Sequence, residues 1–282
     1  MNKLVYILII FIITGCTTYL TVKNNNILNQ QYIISHKSLI YKDKSRNGRS
    51  ITAELFYPSY LNDNKIADGN FSLIIFAHGY QQRFTNYQYL YKRLIPKGYI
   101  LAFLTTEQGL IIDIDNYAQD IVFLQNKLLN SKTILSNHLK PTSALMGHST
   151  GGGAIYLAQN ISHRSTTIIS MAALGKVYFP IYGTNPIDIA QNIMIPSLLL
   201  SGSQDCITPL KSYQKPLYEN LHGKKEILII KGGDHCGFSN SLDCPLAESF
   251  MCGLFFQGKT IDENLQKDIT LNKIVEWLDK YL

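Results

Sequence analysis

Residues 143–159, "SALMGHSTGGGAIYLAQ", are the strongest indication of fold class in this sequence. The stretch begins as a short apolar run typical of a buried strand and ends as a helical pattern. Between them lies a G-x-S-x-G pattern with Ser149 at its centre. A strand, a sharp glycine turn and a helix in this order lift a serine hydroxyl above a sheet, and the helix points its free N–H groups towards it. Ser149 is therefore a candidate nucleophile; the alternative interpretation is a helix N-cap after a glycine turn.

Strand-like and helix-like segments alternate on both sides of this stretch. Such alternation predicts a single α/β domain, with a mostly parallel sheet covered by helices on both faces. The strand-like segments are 51–58, 72–79, 99–106, 143–147, 166–170, 195–202 and 225–233, and the helix-like segments are 85–98, 115–130, 151–159 and the C-terminal residues from 271.

The serine needs a base, and the base needs an acid to orient it. The strand "IPSLLLSG" runs directly into "SQD", which ends at Asp205, and "KEILIIKGG" runs into "DHC", which contains His235. Because the carboxyl ends of parallel strands share one edge of the sheet, we expect Asp205 and His235 beside the serine. Asp234 adjoins His235, so its side chain should point elsewhere, and for His78 and His148 we expect packing or hydrogen bonding.

Two backbone amides are predicted to stabilise the oxyanion. One belongs to Thr150, the residue after the nucleophile, and the other comes from the loop after the "SLIIFA" strand, where Tyr80 is the best candidate. The Tyr80 side chain either forms a wall of the pocket for the acyl group or is an ordinary packing tyrosine.

The N-terminus differs from the rest of the chain. Lys3 precedes an apolar run over residues 4–13 that is too short to span a bilayer and is typical of a secretory signal. The run ends in "IITGC", which resembles the lipobox of bacterial lipoproteins and implies that Cys16 is lipidated after cleavage. We predict a signal peptide over 1–15, lipidated Cys16 with a polar tether over 16–35, and the folded domain over 36–282. The alternative is a plain signal peptide with an incidental cysteine.

Charge and cysteine content narrow the partners. The net charge of +6 is scattered, and its only dense group, residues 42–49, is interpreted as a solvated loop, so no nucleic-acid partner is expected.

Export would leave Cys206, Cys236, Cys244 and Cys252 in an oxidising compartment, where disulfides are the default. A zinc site is the alternative, but no C-x-x-C spacing supports it.

These motifs resemble the α/β-hydrolase superfamily, and within it the lidless group of dienelactone hydrolases, platelet-activating-factor acetylhydrolases and bacterial cutinase-like polyesterases. The resemblance covers roughly residues 36–282 and rests on "SRNGRSITAELFYP", "IIFAHGY", "GHSTGGGA", "PSLLLSGSQDCITP" and "GGDHCGF". It implies an α/β-hydrolase fold, Ser149 as nucleophile, Asp205 as acid, His235 as base, and the Tyr80 and Thr150 amides as oxyanion donors, with no cofactor or metal. Thr150 stands where cutinases usually have Met, and their subsite tryptophan is missing, so the resemblance implies ester hydrolysis without indicating polyesters in particular.

The same resemblance bears on the disulfides. Cutinase-like relatives often join the acid and base loops by a disulfide, which here predicts Cys206–Cys236 together with Cys244–Cys252. Cys236–Cys244 is the main rival, because four cysteines allow three connectivities.

The sequence therefore predicts a lipid-anchored, extracytoplasmic serine hydrolase, active as a monomer on small-molecule, lipid or polymer esters. It would lie on the periplasmic or outer side of a cell-envelope membrane. Between Ser170 and Ile195 the chain is too short for a large cap, so an open site is expected. The alternatives are an acyltransferase or peptidase with the same triad, or a non-catalytic envelope-binding lipoprotein on a hydrolase fold.

Overall fold

A computed structural model describes residues 32–60, 65–130, 132–240, 252 and 261–282. The predicted signal peptide, the lipidation site Cys16, most of the tether and Cys244 lie outside the described residues. Within the described ranges, no helix combines the length and the apolar character that crossing a membrane requires.

Eight strands form one sheet, in the order β1-β2-β4-β3-β6-β7-β9-β10. β1 pairs antiparallel with β2, and β2 with β4, while every other pair is parallel. The strands are β1 (Ile33–Asp43), β2 (Arg49–Ser59), β3 (Phe71–Ala77), β4 (Tyr99–Leu104), β6 (Leu139–His148), β7 (Thr167–Met171), β9 (Ser197–Gly202) and β10 (Lys225–Ile230). The predicted α/β fold with a mostly parallel sheet is confirmed.

Helices cover both faces of this sheet. They are α1 (Gln88–Leu94), α2 (Ile114–Asn130), α3 (Ser149–Ser162), α4 (Pro186–Ile189), α5 (Lys215–Asn220) and α6 (Glu263–Tyr281). Successive side chains of a strand point to opposite faces, so Ile75 packs in the core that includes α2 and α3 residues. Phe76 packs in the second core, which includes Leu90 of α1 and Trp277 of α6. Strands buried on both faces explain the continuous apolar runs of the sequence.

Two features of the fold were not expected from the sequence. β1 begins at Ile33, so the folded domain starts before the predicted boundary at residue 36. A second, two-stranded parallel sheet joins β5 (Ile112–Asp113) to β8 (Ile181–Tyr182). In the described chain the connection from β7 to β9 carries only β8 and short helical turns, so the expected absence of a large cap agrees with the fold.

The basic group at residues 42–49 is partly turned inward rather than fully solvated. Arg49 Nε and Nη2 lie 2.8 and 2.7 Å from the two carboxylate oxygens of Asp120, which is fully buried in α2. Arg49 Nη2 also donates to Glu107 at 2.5 Å, and Glu107 accepts the Asp113 amide at 3.1 Å. These bonds fix the loop that follows β4 at the carboxyl edge of the sheet.

Candidate active site

The turn between β6 and α3 has the geometry that its glycines predict. Ser149 is the first residue of α3 and has a φ of 53°, a left-handed conformation that is strained for a residue with a side chain. A β-carbon on Gly147 would lie 2.5 Å from the Gly151 carbonyl oxygen, and one on Gly151 would collide with the Ala77 carbonyl. Only glycines therefore let the turn fold tightly against the end of β3.

Three predicted side chains meet above this turn. His235 Nε2 lies 3.0 Å from Ser149 Oγ, and His235 Nδ1 lies 3.0 Å from Asp205 Oδ2. All three residues are more than nine-tenths buried. Asp205 follows β9 and His235 follows β10, so neighbouring parallel strands bring them to the same edge as Ser149. The arrangement matches a nucleophile, a base and an orienting acid in a continuous hydrogen-bond chain.

Asp205 accepts more hydrogen bonds than its partner histidine supplies. Its Oδ1 accepts the amides of Ile207 at 3.0 Å and Thr208 at 2.8 Å. The Thr208 hydroxyl lies 2.9 Å from Asp205 Oδ2 and 3.0 Å from the Ala172 carbonyl, so its one proton serves these two acceptors. Burial alone would raise the pKa of Asp205, but the His235 ring and the Thr208 donors outweigh it and lower that pKa.

Thr208 is a site residue that the motif analysis missed. A hydroxyl residue three positions after a turn aspartate is a local signal for such side-chain bonding, because serine and threonine hydroxyls bond to nearby turn groups. Gln214 Nε2 also bonds to the Thr208 carbonyl at 2.9 Å and lies 3.4 Å from Asp205 Oδ2. The acid is thus held by its own loop.

The loop after β3 lies directly beside the serine. A β-carbon on Gly79 would lie 3.2 Å from Ser149 Cβ, and the Gly151 amide donates to the His78 carbonyl at 3.1 Å. In the described part of the chain, the Tyr80 amide donates to no backbone carbonyl outside the helices and strands, and Thr150 lies in the first turn of α3, where amides have no partner within the helix. Both predicted oxyanion donors therefore suit a ligand at the serine.

A buried tyrosine and a buried histidine connect this loop to the turn between β6 and α3. The Tyr87 hydroxyl accepts the Gly79 amide at 3.0 Å and lies 2.9 Å from His148 Nδ1. The direction of the second bond depends on the tautomer of the neutral ring, which either accepts the tyrosine proton at Nδ1 or donates its own proton to the hydroxyl oxygen. Burial, and then the charge of His235, lower the pKa of His148 well below its usual value. The packing and hydrogen-bonding roles expected for His148 and His78 are confirmed, since His78 also lies 2.8 Å from the Gly79 carbonyl oxygen.

The predicted disulfide pairing is wrong. Cys206 is bonded to Cys252, with 5.7 Å between their Cα atoms, so neither Cys206–Cys236 nor Cys244–Cys252 exists. The bridge ties the loop after Asp205 to the segment that follows the His235 loop. Cys236 is also disulfide-bonded, to a partner outside the described residues, so the rival Cys236–Cys244 pair remains a prediction.

The chain resembles known proteins in sequence and in fold. A family model described as PETase, PET hydrolase-like, matches residues 48–254, a range that holds Ser149, Asp205 and His235. No curated protein sequence matches the chain. The fold is similar to that of a ferulic acid esterase from Streptomyces cinnamoneus, with a TM-score of 0.66 and 17% sequence identity over 89% of this chain and 91% of that one.

Proposed function

Because the chain belongs to the PET hydrolase-like family and is an ester-hydrolysing serine hydrolase of the α/β-hydrolase fold, we propose that Ser149, His235 and Asp205 are its catalytic triad. The observation that carries this proposal is the buried chain of two 3.0 Å hydrogen bonds from Asp205 through His235 to Ser149. The strained left-handed backbone at Ser149 supports it, since such strain is found at functional sites.

In the acylation step, Ser149 Oγ attacks the ester carbonyl carbon while His235 Nε2 takes the hydroxyl proton. The carbonyl π electrons move to oxygen, and the amides of Tyr80 and Thr150 stabilise this oxyanion. When the tetrahedral intermediate collapses, the C–O bond to the alcohol breaks and His235 returns the proton to the leaving oxygen. Asp205 is ionised because His235 and Thr208 lower its pKa. Its carboxylate stabilises the His235 imidazolium that exists between these two proton transfers.

Deacylation repeats these movements with water as the nucleophile. His235 removes a proton from water, which attacks the acyl carbon, and the proton is then delivered to Ser149 Oγ as the ester bond to the serine breaks. The products are a carboxylic acid and the regenerated serine. The serine proton leaves with the alcohol and a proton from water replaces it, so the cycle consumes only the ester and water.

The first test is covalent labelling of the serine. A fluorophosphonate probe phosphonylates an activated serine, so we expect one adduct on Ser149 in the wild-type protein and none in Ser149→Ala. Ser162→Ala, at the end of α3, is the matched control and should label like the wild type. A folded wild-type protein without an adduct on Ser149 contradicts the proposal.

The cellular location is a second part of the proposal. The lipobox-like "IITGC" and the Cys206–Cys252 disulfide both support export to an oxidising compartment with a lipid anchor at Cys16. In cells fed an alkyne-bearing fatty acid, we expect the wild-type protein to carry the label and Cys16→Ser to lose it. Labelling that survives this substitution excludes Cys16 as the lipidation site.

A further inference from the structure

Two loops beside the site expose large apolar side chains that the triad does not use. The first follows β4 and carries Leu110 and Ile111, and the second follows β7 and carries Phe179 and Tyr182. Phe179 is 87% exposed and Leu110 is 73% exposed. Single exposed apolar residues are ordinary on a protein surface, but a contiguous group marks an interaction site. We call these four residues the apolar rim.

The pairing of β5 with β8 makes the rim contiguous. Ile112 pairs with Ile181, and the Ile112 amide donates to the Pro180 carbonyl at 3.1 Å. The parallel register therefore sets Leu110 and Ile111 beside Phe179 and Pro180. The Thr184 amide, 3.0 Å from Asp115 Oδ2, closes the far side of this small sheet.

The rim is continuous with the proposed oxyanion hole. The hydroxyl of Tyr80, whose amide is a proposed donor, bonds to the Leu110 carbonyl at 2.8 Å. On the second loop, Tyr178 packs edge-on against Tyr213, with 6.3 Å between ring centroids, and the charge of Asp205 contributes, after burial and Tyr213, to a raised pKa of about 12 for Tyr178. The two rim loops are thus tied to the proposed site, one through Tyr80 and the other through Tyr178.

The charges around the rim favour an uncharged partner. Asp113 and Asp115 lie at its base, and in the described residues neither forms an ion pair with a lysine or an arginine. Asp113, the largest cause, raises the pKa of the Tyr182 hydroxyl. Glu107 adds a further negative charge near Tyr182, after that of Asp113, and Lys176 is at the start of the second loop. Anionic headgroups are therefore not favoured here.

We propose that the apolar rim docks the enzyme on droplets of water-insoluble, uncharged acyl esters and so delivers their acyl chains to Ser149. Leu110, Ile111 and Phe179 are wholly apolar and fit acyl chains, and Tyr182 combines an apolar ring with a polar hydroxyl, which suits a boundary between oil and water. This inference rests on the proposed esterase function and adds the physical form of the substrate.

The test compares one ester in two physical states. Tributyrin hydrolysis is followed below and above its solubility limit for the wild type and for Ile111→Ser/Phe179→Ser. The double variant loses the contacts of two large apolar side chains with the droplet surface. Its ratio of the emulsified rate to the dissolved rate should therefore be about tenfold lower than that of the wild type. The control is Ile161→Ser/Met194→Ser, two exposed residues at the opposite end of the sheet, which should keep the wild-type ratio.

Four outcomes overturn the rim proposal. One is wild-type rates in both physical states for the rim variant, and another is an equal loss in both states, which would assign the side chains to a binding pocket for single molecules. The third is a dimer of the wild type, seen by sedimentation, that the rim variant lacks while its ratio is unchanged, which would assign the face to a second copy of the chain. Faster hydrolysis of anionic vesicles than of neutral droplets would also contradict it. Failure of the esterase function itself is separate, because the wild type would then neither label at Ser149 nor cleave dissolved tributyrin.

Discussion

At the scale of single residues, the acid of the site depends on a hydroxyl that no catalytic motif includes. Thr208 supplies two of the hydrogen bonds to Asp205, from its amide at 2.8 Å and its hydroxyl at 2.9 Å. The hydroxyl also lies 3.2 Å from His235 Nδ1. It therefore fixes the carboxylate oxygen that orients the base without touching the reacting atoms.

Thr208→Val removes this hydroxyl bond and keeps the amide bond and nearly the same shape. We expect kcat for a dissolved ester to fall about tenfold, since a hydrogen bond to a charged group contributes about 1.5–3 kcal/mol. KM should stay near the wild-type value because Thr208 is a positioning residue. Thr208→Ser restores the hydroxyl and should restore kcat, and a valine variant with wild-type kcat would remove Thr208 from this role.

The three residues of the proposed triad could be brought together from the sequence because each lies at a strand end that an apolar run indicates. The disulfides could not be assigned in this way. Adjacency of Cys206 to Asp205 and of Cys236 to His235 fixes only which loops carry the cysteines. Which sulfur atoms meet depends on the side-chain directions in those loops, and Cys206 is directed to Cys252.

At the scale of elements, the strand–turn–helix unit fixes the serine by excluding side-chain volume. A β-carbon on Gly151 would collide with the carbonyl of Ala77 and lie 2.5 Å from that of His78. Both are backbone groups at the end of β3, so a flexible side chain cannot give way. The α3 start, the β6 end and the oxyanion loop are thus one packed unit.

Gly151→Ala should lower the free energy of unfolding by about 3 kcal/mol, at the upper end of ordinary overpacking. Urea denaturation measures the change. Gly109→Ala is the matched control, because its β-carbon would meet nothing closer than the Ile111 carbonyl oxygen at 3.6 Å and should cost little. Equal urea midpoints of unfolding for the two variants would show that the turn between β6 and α3 tolerates the added β-carbon.

Element by element, the sequence predicts the buried strands and the edge strand β10, but it misses β1, β5 and β8. The inner parallel strands are continuous apolar runs because both of their faces are covered. β1 is an edge strand with several exposed positions, and the polar residues His36, Lys37 and Ser38 interrupt its pattern. β5 and β8 have two residues each, too few for any periodicity, and they form only because the loops after β4 and β7 meet in space.

At the scale of the whole molecule, two neutral histidines are buried behind the site. Burial lowers the pKa of His78, and burial followed by the charge of His235 lowers that of His148. In the unfolded chain a histidine takes up its proton near pH 6.5. Below that pH the unfolded state binds more protons than the folded state does, so the stability of the fold falls as the pH falls.

His148→Asn separates one of these contributions from the rest. The Asn side chain can still form a hydrogen bond with the Tyr87 hydroxyl, through Oδ1 or Nδ2, but it no longer titrates. Above pH 6.5 both proteins keep their full stability contribution from this position, and from pH 6.5 downward only the wild type loses it. Between pH 7 and pH 5 the wild type should therefore lose about 2 kcal/mol more unfolding free energy than the variant. Urea denaturation at pH 5, 6 and 7 measures this difference.

His163→Asn is the matched control, because His163 is an exposed residue in a left-handed conformation that Asn tolerates. This variant should keep the wild-type pH dependence of stability. If His148→Asn loses as much stability on acidification as the wild type, the folded protein already binds a proton at His148, and the neutral ring assigned to the Tyr87 hydrogen bond is wrong.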